Sequence, residues 1–437
     1  MISRRRLTRL VAPTPWRRRI LFWGGAVATG AAAVLFALGS DRVTQAFFQL
    51  TQSLPWWPFL AAPLGLACAA WLARTVFKGS EGSGIPQVIA ALSLPEPQAR
   101  TKLLSLRLAA GKMTLTILAL ASGASVGREG PTVQVGASIM HALGRFARFP
   151  AADLDRGLIL AGGAAGIAAA FNTPLAGVVF AIEELARSFE ERTNGTILTA
   201  VIIAGVTSIA LVGDYTYFGV TSAALREPRA WLAVPVCGVI GGLAGGLFAR
   251  VVVAWALTPP GRLGRFRSDR PVLFAAACGL VLAVLGWLSA GATFGTGYEE
   301  ARGLLQEENT PVAGYALLKA VATLVSYASG VPGGIFAPSL AVGAGIGGEL
   351  SPLLTVAPAG AVVLLTTAAY FAGVVQAPLT ALVIVTEMTG NRELMLPLMG
   401  AVLLGRGTSG LVCREPLYRA LSVRYLGDRG ASSSVPR

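Results

Sequence analysis

The stretch from 121 to 139 reads ASGASVGREGPTVQVGASI and sets Arg128 and Glu129 between glycines in an otherwise apolar run. An ionisable group at membrane depth costs about 2.5–3.5 kcal/mol on insertion scales and marks a functional site by default. A carboxylate in such a place can carry a proton. Being anionic, it can also compete with an anion for one cradle of backbone N–H groups. A surface pair between Arg128 and Glu129 is the plain alternative, weakened because adjacent residues of a helix point apart. A second acidic pair, Glu183 and Glu184, closes the run FNTPLAGVVFAIEE (Phe171 to Glu184).

Three loops share one design: GSGIP with Gly82, Gly84 and Pro86, GREGP with Gly127, Gly130 and Pro131, and GGIFAP over 333–338. Glycine lets the backbone approach closely and proline suits the first turn of a helix, so each predicts a loop feeding a helix N-terminus. Free N–H groups and the positive dipole end make such a terminus an anion site without a fixed cation. Conduction needs binding weak enough to release the ion, which a neutral cradle provides. Taken singly, each loop also fits a glycine-rich turn between packed helices.

The elements that must position these residues are membrane helices. Of 437 residues, 54% are hydrophobic and 13% charged, about half the charge of an ordinary soluble domain. Runs long enough to span a bilayer recur at Ile20–Gly39, Pro58–Ala73, Gly157–Ile182, Thr196–Val212, Trp231–Trp255, Pro271–Ala290, Ala361–Thr386 and Leu396–Val412. Thr132–Leu143 and Ile335–Gly348 are too short or glycine-rich to span, which predicts broken or re-entrant helices lined by protein or water. The first run has no small-residue cleavage site after it and is read as a retained helix.

The net charge of +14 lies beside the spans: Arg4, Arg5, Arg6, Arg9, Arg17, Arg18 and Arg19 before the first, Arg262, Arg265, Arg267 and Arg270 in a linker, Arg414, Arg419, Arg424 and Arg429 after the last. That is the positive-inside pattern and predicts cytoplasmic termini; no basic domain suited to nucleic acid is present. Cys68, Cys237, Cys278 and Cys413 are scattered, without metal spacing or a disulfide framework, and read as small buried hydrophobes. His141 is the one histidine and is expected to face an interface. An intramembrane enzyme would need a nucleophile with a base, or a metal cluster, and neither is offered.

An internal repeat organises the chain. Residues 121–139 laid over 328–346, ASGVPGGIFAPSLAVGAGI, match at nine of nineteen positions, and at the same shift of 207 Lys112 falls on Lys319. At a shift of 204, Phe171–Glu184 lies over VVQAPLTALVIVTEM (Val374–Met388), matching Pro174/Pro378, Leu175/Leu379, Val179/Val383 and Glu183/Glu387. Duplicated halves predict a transporter with its ligand near the midplane, where broken helices meet. The expected segments are a basic stretch over 1–19, a first repeat over 20–225, a second over 226–425 and a tail over 426–437. Glu129 overlies Phe336 and Glu184 overlies Met388, so only the first half carries these charges. The shared Glu183 and Glu387 predict a structural role, such as capping a neighbouring helix.

GSGIPQV, GREGPTVQVGA, GGIFAPSLAVGA and EPLYRAL (Glu415–Leu421) resemble, in order, the four signature segments of the CLC chloride channels and chloride/proton antiporters. The resemblance covers nearly the whole chain. It implies an all-α polytopic membrane protein with two inverted-topology repeats, a homodimer with one pore per subunit, and no cofactor beyond transported chloride. With only 19 residues after Tyr418, the paired C-terminal nucleotide-binding modules of many relatives are expected to be absent, as in bacterial members of the inner membrane.

Carried over position by position, the resemblance gives Ser83 and Tyr418 as hydroxyl donors to chloride and the backbone N–H groups of Ile335 and Phe336 as the rest of the shell. Relatives that prefer nitrate have proline at the place of Ser83, which favours chloride. It gives Glu129 as the gate that competes with chloride and takes a proton, and Glu184 as the internal proton glutamate; passive channels of the family usually have an apolar residue there. Lys112 and Arg128 match basic positions and predict a diffuse positive field. Gln87, Ile89 and Ser188 depart from well-known exchangers. The reading is a chloride/proton exchanger, with an uncoupled channel as the alternative.

Overall fold

The computed structural model describes residues 13–146, 152–186, 195–213, 216–259, 261–308 and 311–426, nearly all of them helical. Arg4, Arg5, Arg6, Arg9, Ser188 and Arg429 lie outside the described residues. The first half runs through α1 (Pro13–Ser53), α2 (Trp57–Thr75), α3 (Ile85–Ser93), α4 (Pro97–Leu103), α5 (Leu106–Ala121), α6 (Glu129–Phe146), α7 (Ala152–Phe171), α8 (Pro174–Phe180) and α9 (Gly195–Val212). The second half runs through α10 (Ala233–Leu257), α11 (Gly261–Asp269), α12 (Pro271–Leu288), α13 (Tyr298–Leu305), α14 (Tyr315–Ala328), α15 (Phe336–Leu350), α16 (Ala359–Val375), α17 (Pro378–Thr389), α18 (Met395–Val412) and α19 (Leu417–Ser422).

Six helical segments among the described residues are long and apolar enough to cross a membrane. The protein is a multi-pass membrane protein. The expected span at Ile20–Gly39 is the first part of the 41-residue α1, and the segment containing α5 spans although hydropathy reading passed it over. Two other expected spans are broken. Gly157–Ile182 is interrupted where Asn172 takes φ 56° and Pro174 starts α8; Ala361–Thr386 is interrupted where Gln376 takes φ 58° and Pro378 starts α17. Left-handed backbone stops a helix, and proline at the first position starts the next. The two breaks fall at repeat-equivalent positions.

The glycine-rich segments form the centre. α6 and α15 are buried along most of their length, which is how short helices are accommodated at membrane depth. α6 packs on α7 backbone to backbone: a β-carbon on Gly136 would meet the carbonyl oxygen of Gly162, and one on Gly162 that of Gly136. Without a hydrophobic driving force between helices in lipid, this close approach is what holds them. α15 packs on α16 in the matching place, where a β-carbon on Gly343 would lie 2.7 Å from Thr367 Cα.

Candidate functional site

The three loops converge. Gly127 N donates to Gly334 O (2.6 Å), Gly334 N donates back to Gly127 O (2.7 Å), and Gly333 N donates to Gly82 O (3.3 Å). Backbone pairing thus ties GREGP to GGIFAP and GGIFAP to GSGIP, and each loop opens a helix, α6, α15 and α3 respectively. Gly84 (φ 106°) must be glycine on two counts, its left-handed φ and the carbonyl of Gly130, 2.6 Å from where a β-carbon would sit. Pro86 and Pro131 sit in the first turns of α3 and α6.

Lys112, fully buried on α5, holds the first loop from behind, its Nζ donating to Glu81 O (3.2 Å) and Gly82 O (2.9 Å). Lys319 on α14 does the same in the second half, donating to the carbonyls of Thr293 (2.9 Å), Phe294 (3.3 Å) and Gly295 (2.9 Å). The lysine expected to supply a diffuse field therefore has a local structural duty. Gln87 closes the same loop: its Nε2 donates to Glu81 O (2.6 Å) and its Oε1 accepts from Gly84 N (3.1 Å).

Around this junction lie polar atoms with no protein partner. Ser83 Oγ, Tyr418 Oη and both carboxylate oxygens of Glu129 are buried and unsatisfied by any protein group. Ser83 and Tyr418 face one another without meeting hydrogen-bond geometry, and Tyr418 lies within electrostatic reach of both Glu184 and Glu129. The amides of Ile335 and Phe336, at the free start of α15, have no acceptor among the described residues. The Glu129 carboxylate is packed against Gly127 beside the Ala337 amide of that helix start. Orphaned buried donors in a native structure require an explanation, and an anion accepting from them is a sufficient one.

Phe336 also stacks on Tyr418 (centroids 5.8 Å, 20°) and packs edge-on against Phe371 (4.8 Å) and Phe180 (6.0 Å). Sequence reading missed Phe180 and Phe371, whose aromatic character alone carries no signal in an apolar chain.

Arg128 does not pair with Glu129. Its Nη1 donates to Asp41 Oδ1 (2.6 Å) and Ala37 O (3.0 Å) on α1. Asp41, missed in the sequence, borders a cavity of about 620 Å³ that Arg128, Glu299 and Glu300 also line. His141, expected at an interface, is buried between helices, with Nδ1 on Asp155 Oδ1 (2.7 Å) and Nε2 on Thr101 Oγ1 (3.0 Å). Arg100 holds the other oxygen of Asp155 (2.7 Å).

The run from Pro174 to Glu184 is not one continuous α-helix. α8 ends at Phe180 and a π-helical turn follows over Ala181–Ala186. The adjacent carboxylates take different environments. Glu183 accepts from Leu379 N (3.1 Å), Thr380 N (2.7 Å) and Thr380 Oγ1 (2.8 Å), capping α17. Glu387 reciprocates on α8, accepting from Leu175 N (3.2 Å) and Ala176 N (2.7 Å). The capping role expected from the repeat is what both glutamates perform. Glu184 is 2% exposed, so it is no solvated helix-end charge.

A family model described as voltage gated chloride channel matches residues 64–410. The fold is that of a slow cyanobacterial Cl-/H+ antiporter, at TM-score 0.80 and 24% identity over 94% of this chain and 98% of that one. A CLC-type fluoride/proton antiporter aligns at TM-score 0.77 and 27% identity, over 92% and 97%. A eukaryotic CLC transporter aligns at 0.74 and 22%, over 93% and 74%.

Proposed function

Because the chain belongs to the family of voltage gated chloride channels, a family of transport proteins and not of enzymes, we propose that it is a secondary active exchanger of chloride for protons. The observation that carries this reading is the set of orphaned donors at one junction: two hydroxyls and two helix-start amides, with a carboxylate beside them. Ser83 and Tyr418 donate to chloride through their hydroxyls, and Ile335 and Phe336 through their amides. Glu129 competes for the same cradle while ionised and vacates it on protonation, so chloride and proton occupy the site by one competition. Glu184 passes the proton on toward the cytoplasm, and Tyr418 is within electrostatic reach of both glutamates.

The buried Glu184 and the resemblance in fold to antiporters support exchange over passive conduction. Chloride is favoured over nitrate by Ser83 in GSGIP, where nitrate-preferring relatives have proline, and over fluoride by the signature motifs, from which fluoride exporters depart. The two repeats, 20–225 and 226–425, form one pore per subunit of a homodimer, with the basic flank 1–19 and the tail 426–437 on the cytoplasmic side of a bacterial inner membrane.

Proton movement in chloride-loaded proteoliposomes under voltage clamp tests this. Uphill proton flux driven by the chloride gradient, lost in both Glu129→Ala and Glu184→Ala, is the expected result. Chloride efflux without proton movement in the native chain would make it a channel, and fluoride efflux outrunning chloride would reassign the ion.

A further inference from the structure

Outside the anion site itself, α10, α11, α12 and α14 leave an apolar groove of about 380 Å³, lined by Trp255, Phe266, Phe274, Val281, Leu324 and Tyr327 among others. Its walls carry almost no polar surface. Trp255 and Phe274 stack in its floor at 5.8 Å, and Phe266 stands edge-on to Phe274 at 5.8 Å. The groove faces outward: Leu263, Phe266 and Val281 are exposed.

At its mouth the chemistry changes. The Arg267 guanidinium lies 5.6 Å over the Trp255 ring, and Arg74 at the end of α2 and Arg424 after α19 act electrostatically on the same guanidinium. Burial and the like charges of those two arginines press Arg267 below its ordinary guanidinium value. No carboxylate forms an ion pair with any of the three among the described residues. Three converging cations without a counter-anion, over a wholly apolar trough in a membrane protein, call for a ligand with an anionic head and a hydrocarbon body.

We propose that this groove binds an anionic phospholipid, one acyl chain lying along Trp255 and Phe274 and the phosphate held by Arg74, Arg267 and Arg424. The basic linker that contains Arg267 is on the cytoplasmic side by the distribution of arginines, so the lipid comes from the inner leaflet. Charge complementarity selects this occupant over a zwitterionic lipid, which would fill the trough but leave the arginines unpaired.

Tryptophan quenching by lipids brominated on their tails tests this in the full-length protein in mixed micelles, with the Trp255 contribution defined by subtraction of Trp255→Phe. Brominated phosphatidylglycerol is expected to quench Trp255 at a lower mole fraction than brominated phosphatidylcholine, with the preference falling on the order of five-fold per arginine removed among R74Q, R267Q and R424Q. All three are surface or groove-mouth changes, and Ala277→Phe, which fills the trough, should abolish quenching by either lipid while leaving the fold intact. Equal quenching by the two lipids, a preference that survives the triple variant, or a Trp255 shielded from both by protein would each overturn the proposal.

Discussion

The two halves of the chain agree wherever the backbone must be held and differ around the proposed ion site. Lys112 holds a loop by two carbonyls and Lys319 another by three. Asn172 and Gln376 each break a long apolar run, and Glu183 and Glu387 each cap the helix of the other half. At the proposed site the symmetry ends: Glu129 against Phe336, Glu184 against Met388, a π-helical turn in one half and a plain helix in the other. Two equivalent carboxylates at one midplane would repel and leave two like charges to desolvate, so under the proposed exchange a single-sided arrangement would give the cradle one titrating competitor. Duplication supplied the scaffold, and divergence supplied the chemistry.

The comparison can be broken most severely at Glu129. Glu129→Ala should abolish proton transport while chloride still passes, whereas Phe336→Ala, its repeat partner, should alter chloride rate and leave coupling in place; loss of coupling in both would show that the halves share the gating role. Paired ion-flux assays in liposomes read both.

The lysines come next. Replacing either Lys112 or Lys319 by Met strands buried carbonyls and should destabilise by about 1–3 kcal/mol, seen as a lower unfolding temperature in detergent. Only the Lys112 variant should also weaken chloride binding, measured calorimetrically, because only its loop carries Ser83.

Removal of either reciprocal cap, Glu183→Ala or Glu387→Ala, should cost about 1–2 kcal/mol. The two losses should be alike in the same unfolding measurement. A large difference would mean that the symmetry of their contacts is not one of energy. The smallest effect is expected from Tyr418→Phe: one hydroxyl donor lost from a multi-donor cradle should weaken chloride binding roughly two- to ten-fold, with unfolding unchanged.

Much of this was legible because glycine, proline and charge are loud in an apolar chain. GSGIP, GREGP and GGIFAP marked three helix starts, and the repeat predicted the capping glutamates. What sequence could not give was anything decided by long-range packing. The spans at Gly157–Ile182 and Ala361–Thr386 read as continuous because hydropathy does not register a left-handed Asn172 or Gln376. α5 was passed over because Lys112 sits inside it, and only the structure supplies the carbonyls that make a buried lysine tolerable. Asp41 lies 87 residues before its partner Arg128, a separation with no local signature. The π-helical turn that carries Glu183 and Glu184 leaves no mark in the pattern of apolar residues.

The crossed caps also have a consequence in time. The amides of Leu175 and Ala176 at the start of α8 are made early, but the Glu387 carboxylate that accepts from both is 212 residues beyond Leu175. At ribosomal speeds that interval is roughly ten to forty seconds. Throughout it the first half sits in the bilayer with an open socket at Leu175 and Ala176, and with Glu183 holding the plug for a helix not yet made. Each half is therefore the other's missing part during synthesis, and a ribosome stalled near the middle of the message would leave a membrane fragment with both socket and plug unfilled.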